Sequence, residues 1–267
     1  MTRFGPAGNE QGSTLEAPKW LREEMGLSAL EVQFGRGVRI SEGTARKIGA
    51  EAKKYDIEIS AHAPYFINLA KDESFDNNYR YIKSTIEAVG WMGGHRIVVH
   101  AASQGDFTRE VAVENTARNL LRVVEKLETE GFSDFLICIE TMGKYKQIGN
   151  LEEIVNLSKL HPNIIPCVDF GHLNCLMQGE LQRNPDKIIE IMNYLGDGPL
   201  HIHWSAIEFG SAGEIRHTIL DDTQWAFDFS PLARILKNWK HPVTIICESK
   251  NKMATDAKKL LQEFVAI

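Results

Sequence analysis

Short runs of β-branched and other apolar residues alternate with longer helical patterns along the whole chain. Seven of these runs are typical of β-strands, at residues 29–34, 57–63, 96–102, 135–141, 164–170, 200–206 and 243–249. A short opening run at residues 3–5 predicts an eighth strand. Most runs are almost continuously apolar, as expected of parallel strands that are covered on both faces.

Helical patterns fill the segments between the predicted strands. Ser41 is a typical N-cap, and Ala45, Ile48 and Ala52 follow it at helical spacing. Further helices are predicted over residues 77–91, 109–130, 151–160, 186–194, 229–239 and 255–264. Residues 206–225 show no such pattern and are long for a connection, which predicts a functional loop.

Eight strands that are each followed by a helix predict an α/β fold of the (β/α)8 TIM barrel type. A doubly wound open sheet is the structural alternative. No Pro/Ser-rich linker or charge block interrupts the pattern, so residues 1–267 are interpreted as a single barrel domain.

Composition and charge narrow the possible partners and the compartment. The formal net charge is −6, which excludes a bulk basic surface for nucleic acid or anionic membrane. The chain begins without a secretory pattern and contains no apolar stretch of membrane-spanning length. Its 4 cysteines form no C-x-x-C pair and lie mostly in apolar runs, which is typical of buried thiols in a reducing compartment. We therefore expect a cytoplasmic protein without a membrane partner.

The predicted strands end in residues that bind metals. These residues are His62, His100, Glu140, Asp169, His203 and Glu248. Because the carboxyl ends of the strands meet on one face of a barrel, their side chains are expected to share one pocket. Three carboxylates in one buried pocket would repel one another and lose hydration unless cations neutralised them. The pattern therefore predicts a metal site.

Two further histidines extend this set. His172 lies one turn beyond a strand end and His217 lies in the long predicted loop. Mixed histidine and carboxylate ligands favour zinc, manganese or iron over magnesium or calcium. The set exceeds the needs of one ion, which predicts more than one metal. The other histidines, His95, His161, His201 and His241, are expected to be hydrogen-bonded core residues.

From about Phe34 to Glu248 the chain resembles the endonuclease IV family, which are metal-dependent apurinic/apyrimidinic endonucleases with a xylose-isomerase-like barrel. The resemblance rests on the blocks SAHAPYFINLA (60–70), VVHAAS (98–103), ICIET (137–141), CVDFGH (167–172), HIHWS (201–205), RH (216–217) and ICES (246–249). The spacing H-x-x-Y-x-I-N-L-A and the D-x-x-H pair are specific, whereas the other blocks are weak singly.

The resemblance implies two or three zinc ions, with manganese as an alternative. The first site is expected to comprise His62, His100 and Glu140, and the second Glu140, Asp169, His203 and Glu248. Glu140 would bridge the ions, and Asp169 or Glu248 would orient the attacking water. His172 and His217 match ligands of a third site, where Ile215 replaces the family's aspartate and Glu214, Asp221 or Asp222 are the nearby carboxylates.

The resemblance also implies substrate contacts. Tyr65 and Phe66 match residues that enter the duplex at the abasic site, and Arg39, or else Arg36, matches an arginine that fills the gap in the base stack. Asn68 belongs to the same substrate-binding set, where it is expected to brace the loop. The alternative for Tyr65 and Phe66 is that they simply cover the barrel.

The function expected from this resemblance is hydrolysis of the DNA phosphodiester 5′ to an abasic site in base excision repair, by a monomer that binds damaged double-stranded DNA. The alternative is a single-metal sugar isomerase or epimerase that uses Glu140, Asp169, His203 and Glu248. His62 and His100 would then be ordinary buried residues. A catalytically silent DNA-binding barrel is a third possibility.

Overall fold

A computed structural model describes residues 1–267 and contains eight parallel strands in a nearly closed barrel. Every adjacent pair that shares a ladder runs parallel. The prediction of a (β/α)8 TIM barrel is therefore confirmed. The barrel strands are β1 Thr2–Pro6, β2 Ala29–Gln33, β3 Glu58–His62, β4 Arg96–Val99, β6 Leu136–Glu140, β8 Ile164–Asp169, β9 Leu200–Trp204 and β12 Val243–Cys247.

Helices connect the strands around the outside of the barrel. They are α1 Ala17–Trp20, α2 Glu42–Lys54, α3 Phe75–Trp91, α4 Arg109–Thr129, α5 Leu151–Ser158, α6 Phe170–Leu176, α7 Glu180–Arg183, α8 Lys187–Leu195, α9 Ser230–Leu236 and α10 Met253–Ala266. A π-helical turn at Leu21–Met25 and a 3₁₀ turn at Asp72–Ser74 complete the helical elements. No helix is both long enough and apolar enough to cross a membrane. The short helices α1, α6 and α7 were not predicted, because helices of 4 to 7 residues carry little periodicity.

Residues 206–225 are not wholly a loop, contrary to the sequence prediction. They contain an antiparallel hairpin of β10 Ile207–Gly210 and β11 Gly213–His217, with a register shift between Glu208 and Phe209. A second small antiparallel pair joins β5 Ala102–Ser103 to β7 Gln147–Ile148. β5 and β7 have only 2 residues each, and β10 and β11 mix apolar and polar residues on a partly exposed hairpin, so neither pair shows the apolar run of a barrel strand. The hairpin lies beside the carboxyl end of β9.

The barrel closes between β1 and β2 with few backbone bonds. The two strands are joined by a bridge between Ala7 and Glu31, and the Gly8 N–H donates to the Glu31 carbonyl at 2.8 Å. Gly5 makes this close approach possible, because a Cβ at that position would lie 2.0 Å from the Ala29 carbonyl oxygen. The glycine is therefore required by the neighbouring backbone.

Side chains along β9 alternate between the barrel interior and the hydrophobic layer between the strands and the helices. Trp204 is buried and packs between strand and helices against Phe170, Phe227 and Phe229, with ring centroids 5.3, 4.6 and 4.9 Å away. Its neighbour His203 points to the opposite side, as successive residues of a strand do, and reaches the interior of the barrel. The aromatic packing fixes the strand that carries His203.

We expect Gly5→Ala to lower the free energy of unfolding by about 2 kcal/mol or more, because the new methyl collides with backbone that cannot move away cheaply. Gly43→Ala is the control, since nothing lies within 4 Å of a Cβ on that helical residue. Ala has the higher helix propensity, so the control is expected to stabilise the protein by up to about 1 kcal/mol. Urea unfolding measures both. Equal effects of the two substitutions would contradict the role given to Gly5.

Candidate metal centre

The carboxyl ends of the barrel strands bring six predicted residues to one face. His62, Glu140 and Asp169 are the last residues of β3, β6 and β8, and His203 is the penultimate residue of β9. His100 and Glu248 follow the ends of β4 and β12. Parallel pairing in register aligns these ends, which is why residues far apart in sequence meet here.

Glu140 lies between two groups of ligand-type side chains. Its Oε2 is 3.2 Å from His62 Nε2 and 2.9 Å from His100 Nε2. Its Oε1 is 3.0 Å from His203 Nδ1. The two oxygens therefore face different sets of side chains. The residue is only 1% exposed, so these side chains make up most of its surroundings.

The second group comprises Glu140, Asp169, His203 and Glu248, whose ligand atoms all lie within 4.8 Å of one another. Glu248 Oε2 is 3.4 Å from His203 Nδ1. Asp169 is fully buried, and its Oδ2 accepts no hydrogen bond, because the nearest imidazole nitrogen, His172 Nδ1 at 3.3 Å, bonds the Thr141 carbonyl instead. Its other oxygen accepts the His172 backbone N–H at 2.8 Å, which caps α6. The free carboxylate oxygen is therefore available to a cation.

A third group forms where α6 meets the β10–β11 hairpin. Glu214 lies between two histidines, with Oε2 3.5 Å from His172 Nε2 and Oε1 3.9 Å from His217 Nε2. Ile215, which replaces the family's aspartate, is instead 58% exposed. Of the three carboxylates considered from the sequence, the structure places Glu214 here, whereas Asp221 pairs with Lys259 at 2.7 Å.

Hydrogen bonds on the far side of four imidazoles orient them toward these groups. His62 Nδ1 is 2.8 Å from the Ala63 carbonyl, and His172 Nδ1 is 2.9 Å from the Thr141 carbonyl. His217 Nδ1 is 2.9 Å from the Ser205 hydroxyl. His203 is reversed, with Nε2 near the Glu31 carboxylate. One ring nitrogen is thus engaged behind each imidazole, and the other faces the centre, as metal-binding histidines require.

The electrostatics of the centre are dominated by burial and by opposite charges. Burial raises the pKa of Asp169, and the negative Glu248 and Glu140 raise it further. Burial would also raise the pKa of Glu140, but His100 and His203 outweigh it and hold that pKa well below the usual range. His203 likewise overcomes burial and lowers the pKa of Glu248 to about 2. The imidazoles therefore stabilise the ionised forms of Glu140 and Glu248, whereas burial and the neighbouring carboxylates disfavour the charge on Asp169.

The predicted substrate-binding residues lie around the mouth of the centre. Tyr65 and Phe66 are 52% and 51% exposed. The Tyr65 ring lies 4.9 Å from that of His62, whereas Phe66 packs edge-on against Tyr81 at 4.7 Å. Asn68 braces the loops, since its amide donates to the Ser103 carbonyl and its Oδ1 accepts from two backbone N–H groups. Arg39 is exposed on the segment after β2.

A cavity of about 340 Å³ is lined by members of all three groups, although not by Asp169 or His203, and Lys144 and Gln147 complete its polar lining. A neighbouring cleft of about 320 Å³ is lined by Arg216, Lys250 and Tyr65, among others. Local cations thus surround the mouth of an otherwise acidic protein.

Glu31 is the functional candidate that strand-end reasoning missed. It is fully buried, and its Oε2 lies 2.9 Å from His201 Nε2. The available signal was a charged residue inside an apolar strand run. His201 is the core histidine that the sequence predicted, but His95, His161 and His241 are only partly buried, because they lie at the ends of elements near solvent.

Comparisons with known proteins identify the family to which the chain is similar. The family model of xylose isomerase-like TIM barrels matches residues 21–265. An uncharacterized protein of Methanocaldococcus jannaschii is 33% identical over 93% of this chain and 92% of its own length. A probable endonuclease 4 of Malacoplasma penetrans is 30% identical over 68% of this chain and 63% of its own length.

Solved structures with the same fold belong to proteins with different activities. A D-tagatose 3-epimerase-like protein has a TM-score of 0.74 at 19% identity, and covers 99% of this chain and 97% of its own. Endonuclease IV from Thermus thermophilus has a TM-score of 0.71 at 17% identity, with coverage of 99% and 98%. At these identities the likeness shows the fold alone.

We expect Glu214→Ala to lower the metal content by about one ion per chain, because the remaining two histidines of the third group form an incomplete ligand set. Glu208→Ala is the matched control, since Glu208 lies on the partner strand of the same hairpin and pairs with the exposed Arg216 at 2.7 Å. Elemental mass spectrometry of protein purified without chelator gives the metal count. A normal count in Glu214→Ala would exclude Glu214 as a ligand.

Proposed function

We propose that this chain, which belongs to the family of xylose isomerase-like TIM barrels, is a zinc-dependent endonuclease that hydrolyses the phosphodiester 5′ to an abasic site in double-stranded DNA. Water would add to phosphorus and the bond to the 3′ oxygen would break, leaving a 3′-hydroxyl and a 5′-phosphate. The sequence similarity to probable endonuclease 4 proteins supports this choice among the activities that the fold hosts.

The position of Glu140 carries the proposal. One oxygen faces His62 and His100, and the other faces His203, so a single carboxylate links two groups of ligands. His62 and His100 with Glu140 would hold one ion, and Asp169, His203 and Glu248 with the same Glu140 would hold another. A site for one ion would not need the imidazole pair on the Oε2 side.

The donor set fits zinc. Each group mixes imidazole nitrogens with carboxylate oxygens, which zinc accepts and which magnesium and calcium do not favour. Manganese fits less specifically. The unpartnered Asp169 Oδ2 is a second indication, because a buried carboxylate oxygen without a donor is costly unless a cation fills that role. When bound, such ions would polarise the phosphate and lower the pKa of bound water to about 7.

The carboxylates of the chain would position the attacking water. Glu248 lines the cavity and its side chain is 14% exposed, whereas Asp169 is fully buried. The lowered pKa of Glu248 keeps it ionised at neutral pH, so it can accept a hydrogen bond from water. We therefore assign the orientation of water to Glu248, and assign Glu140 and Asp169 to holding the centre.

Cations and aromatic residues at the mouth would bind the DNA. Lys144 lines the cavity itself, and Arg216 and Lys250 line the adjoining cleft, where they can contact phosphates on either side of the scissile bond. The exposed Phe66 can stack in the space left by the missing base. Recognition of an abasic site would thus depend on shape, which agrees with the net charge of −6.

A sugar epimerase that uses one ion is the second candidate. The group of Glu140, Asp169, His203 and Glu248 is complete without the other histidines, and Glu140 and Glu248 could exchange protons with a substrate carbon. This alternative leaves the two imidazoles on Glu140 Oε2 without a role. They line the cavity and are not ordinary core residues, which favours the nuclease.

We expect the protein to nick a duplex with one abasic site, and Glu140→Gln to reduce the nicking rate at least about 100-fold, because the variant loses the charge that links both groups. The measurement is the cleavage of an end-labelled oligonucleotide duplex. His241→Ala is the control, since His241 is partly exposed and pairs with Asp197 at 3.3 Å far from the centre. Epimerisation of ketose sugars without nicking would contradict the nuclease and support the alternative.

Phe66→Ala is expected to raise the Kd for abasic duplex about tenfold, because base–aromatic stacking contributes about 1–3 kcal/mol per base. Tyr194→Ala is the matched control, since that aromatic residue is 50% exposed but lies on helix α8 outside the barrel. Fluorescence anisotropy with abasic and intact duplexes measures both. A loss that is equal for the two duplexes would exclude recognition of the gap by Phe66.

A further inference from the structure

His203 has carboxylates on both sides of its ring. Nδ1 faces Glu140 and Glu248 in the proposed metal centre, at 3.0 and 3.4 Å. Nε2 faces Glu31 inside the barrel, 3.3 Å from Oε1 and 3.4 Å from Oε2. The imidazole and Glu31 are both fully buried, so the contact has no competition from water.

Glu31 is held in place by a set of donors. Ser60 Oγ donates to Oε2 at 3.2 Å, and Gln33 Nε2 donates to Oε1 at 3.0 Å. His201 Nε2 lies 2.9 Å from Oε2. Together with His203, these groups satisfy the buried carboxylate without a lysine or arginine, so its position is fixed and its negative charge is balanced only by imidazoles.

Glu31, the group behind the His203 ring, differs chemically from the groups behind the other candidate histidine ligands. Behind His62 and His172 lie backbone carbonyls, and behind His217 lies a hydroxyl. Among these four, only His203 has a carboxylate as the hydrogen-bond partner behind its ring. The His172 Nδ1 that bonds the Thr141 carbonyl also lies 3.3 Å from Asp169 Oδ2, but makes no hydrogen bond to it. A carboxylate that accepts the outer N–H fixes the ring orientation and makes the inner nitrogen more basic.

The contact also connects to the mouth of the cavity. The Tyr65 hydroxyl donates to Gln33 Oε1 at 3.0 Å, and the amide of the same Gln33 donates to Glu31. A continuous hydrogen-bonded path therefore runs from a half-exposed aromatic residue, through Gln33 and Glu31, to the ring of His203.

We propose that Glu31 is a positioning residue, which holds His203 with Nδ1 directed at the metal centre and thereby determines how firmly one ion is retained. The inference rests on the proposed metal-dependent function. It adds a residue whose role is exerted through His203, without contact to substrate.

The test compares zinc release from the zinc-loaded full chain and its variants into an excess of a chromogenic chelator. Glu31→Gln keeps the size of the side chain but removes the charge, and is expected to release one ion per chain about tenfold faster than wild type, in line with the usual effect of outer-partner substitutions. The cobalt(II) absorption spectrum of the same variant is expected to change, because the geometry at one ion changes.

The control is Glu58→Gln, the same substitution at a barrel carboxylate that contacts Arg96 and Thr244 and neither Glu31 nor His203. It is expected to lose some thermal stability and to release zinc at the wild-type rate. If both variants accelerate release equally, the effect is merely structural and the inference is overturned. Wild-type release from Glu31→Gln also overturns it. Should Glu31→Gln fail to fold, Gln33→Leu is measured in its place. This variant removes the donor to Glu31 Oε1 and is expected to accelerate zinc release, whereas release at the wild-type rate would overturn the inference.

The outcomes separate this inference from the proposed function. A wild-type chain that retains no zinc, cobalt or manganese overturns both. A chain that retains zinc and shows faster release in Glu31→Gln, yet does not nick abasic DNA, supports the role of Glu31 and overturns the nuclease.

Discussion

The convergence of buried carboxylates at one end of the barrel is the constraint on which the rest of the site depends. Glu140, Asp169 and Glu248 lie within a few ångströms of one another around His203. Such a cluster is unfavourable in a low-dielectric interior unless positive charge compensates it. Imidazoles supply part of that charge in the structure, and the unpartnered Asp169 oxygen indicates that more is needed. Metal ions satisfy this requirement most directly.

The polar side chains inside the barrel form two layers. Residues at the strand ends form the proposed metal centre, and Glu31, His201 and Ser60 form a second polar layer beneath it. His203 contacts both layers, because its Nε2 faces Glu31 and its Nδ1 faces Glu140. Aromatic packing around Trp204 on the outer side of β9 holds the strand that carries it.

The hairpin of β10 and β11 makes the third group independent of the barrel register. Its ligand-type residues Glu214 and His217 lie on β11, where Ile215 is an extra residue without a partner on β10, and they meet His172 on α6. The extra residue changes the alternation of side chains between Glu214 and His217. This explains how Glu214 lies between the histidines although Ile215 stands at the position of the family's aspartate.

The sequence by itself determined the barrel, because nearly continuous apolar runs alternate with helical patterns along the whole chain. It also determined which residues meet at the strand ends, because parallel register brings the last polar residue of each strand to one face of a barrel. Tertiary structure decided what depends on contacts between distant or irregular segments. Glu31 lies in mid-strand, and only its partners His201 and His203, about 170 residues away, give it a role. The choice of Glu214 over Asp221 depended on a hairpin whose mixed apolar and polar residues, with Ile215 as an extra residue, leave no strand pattern in the sequence.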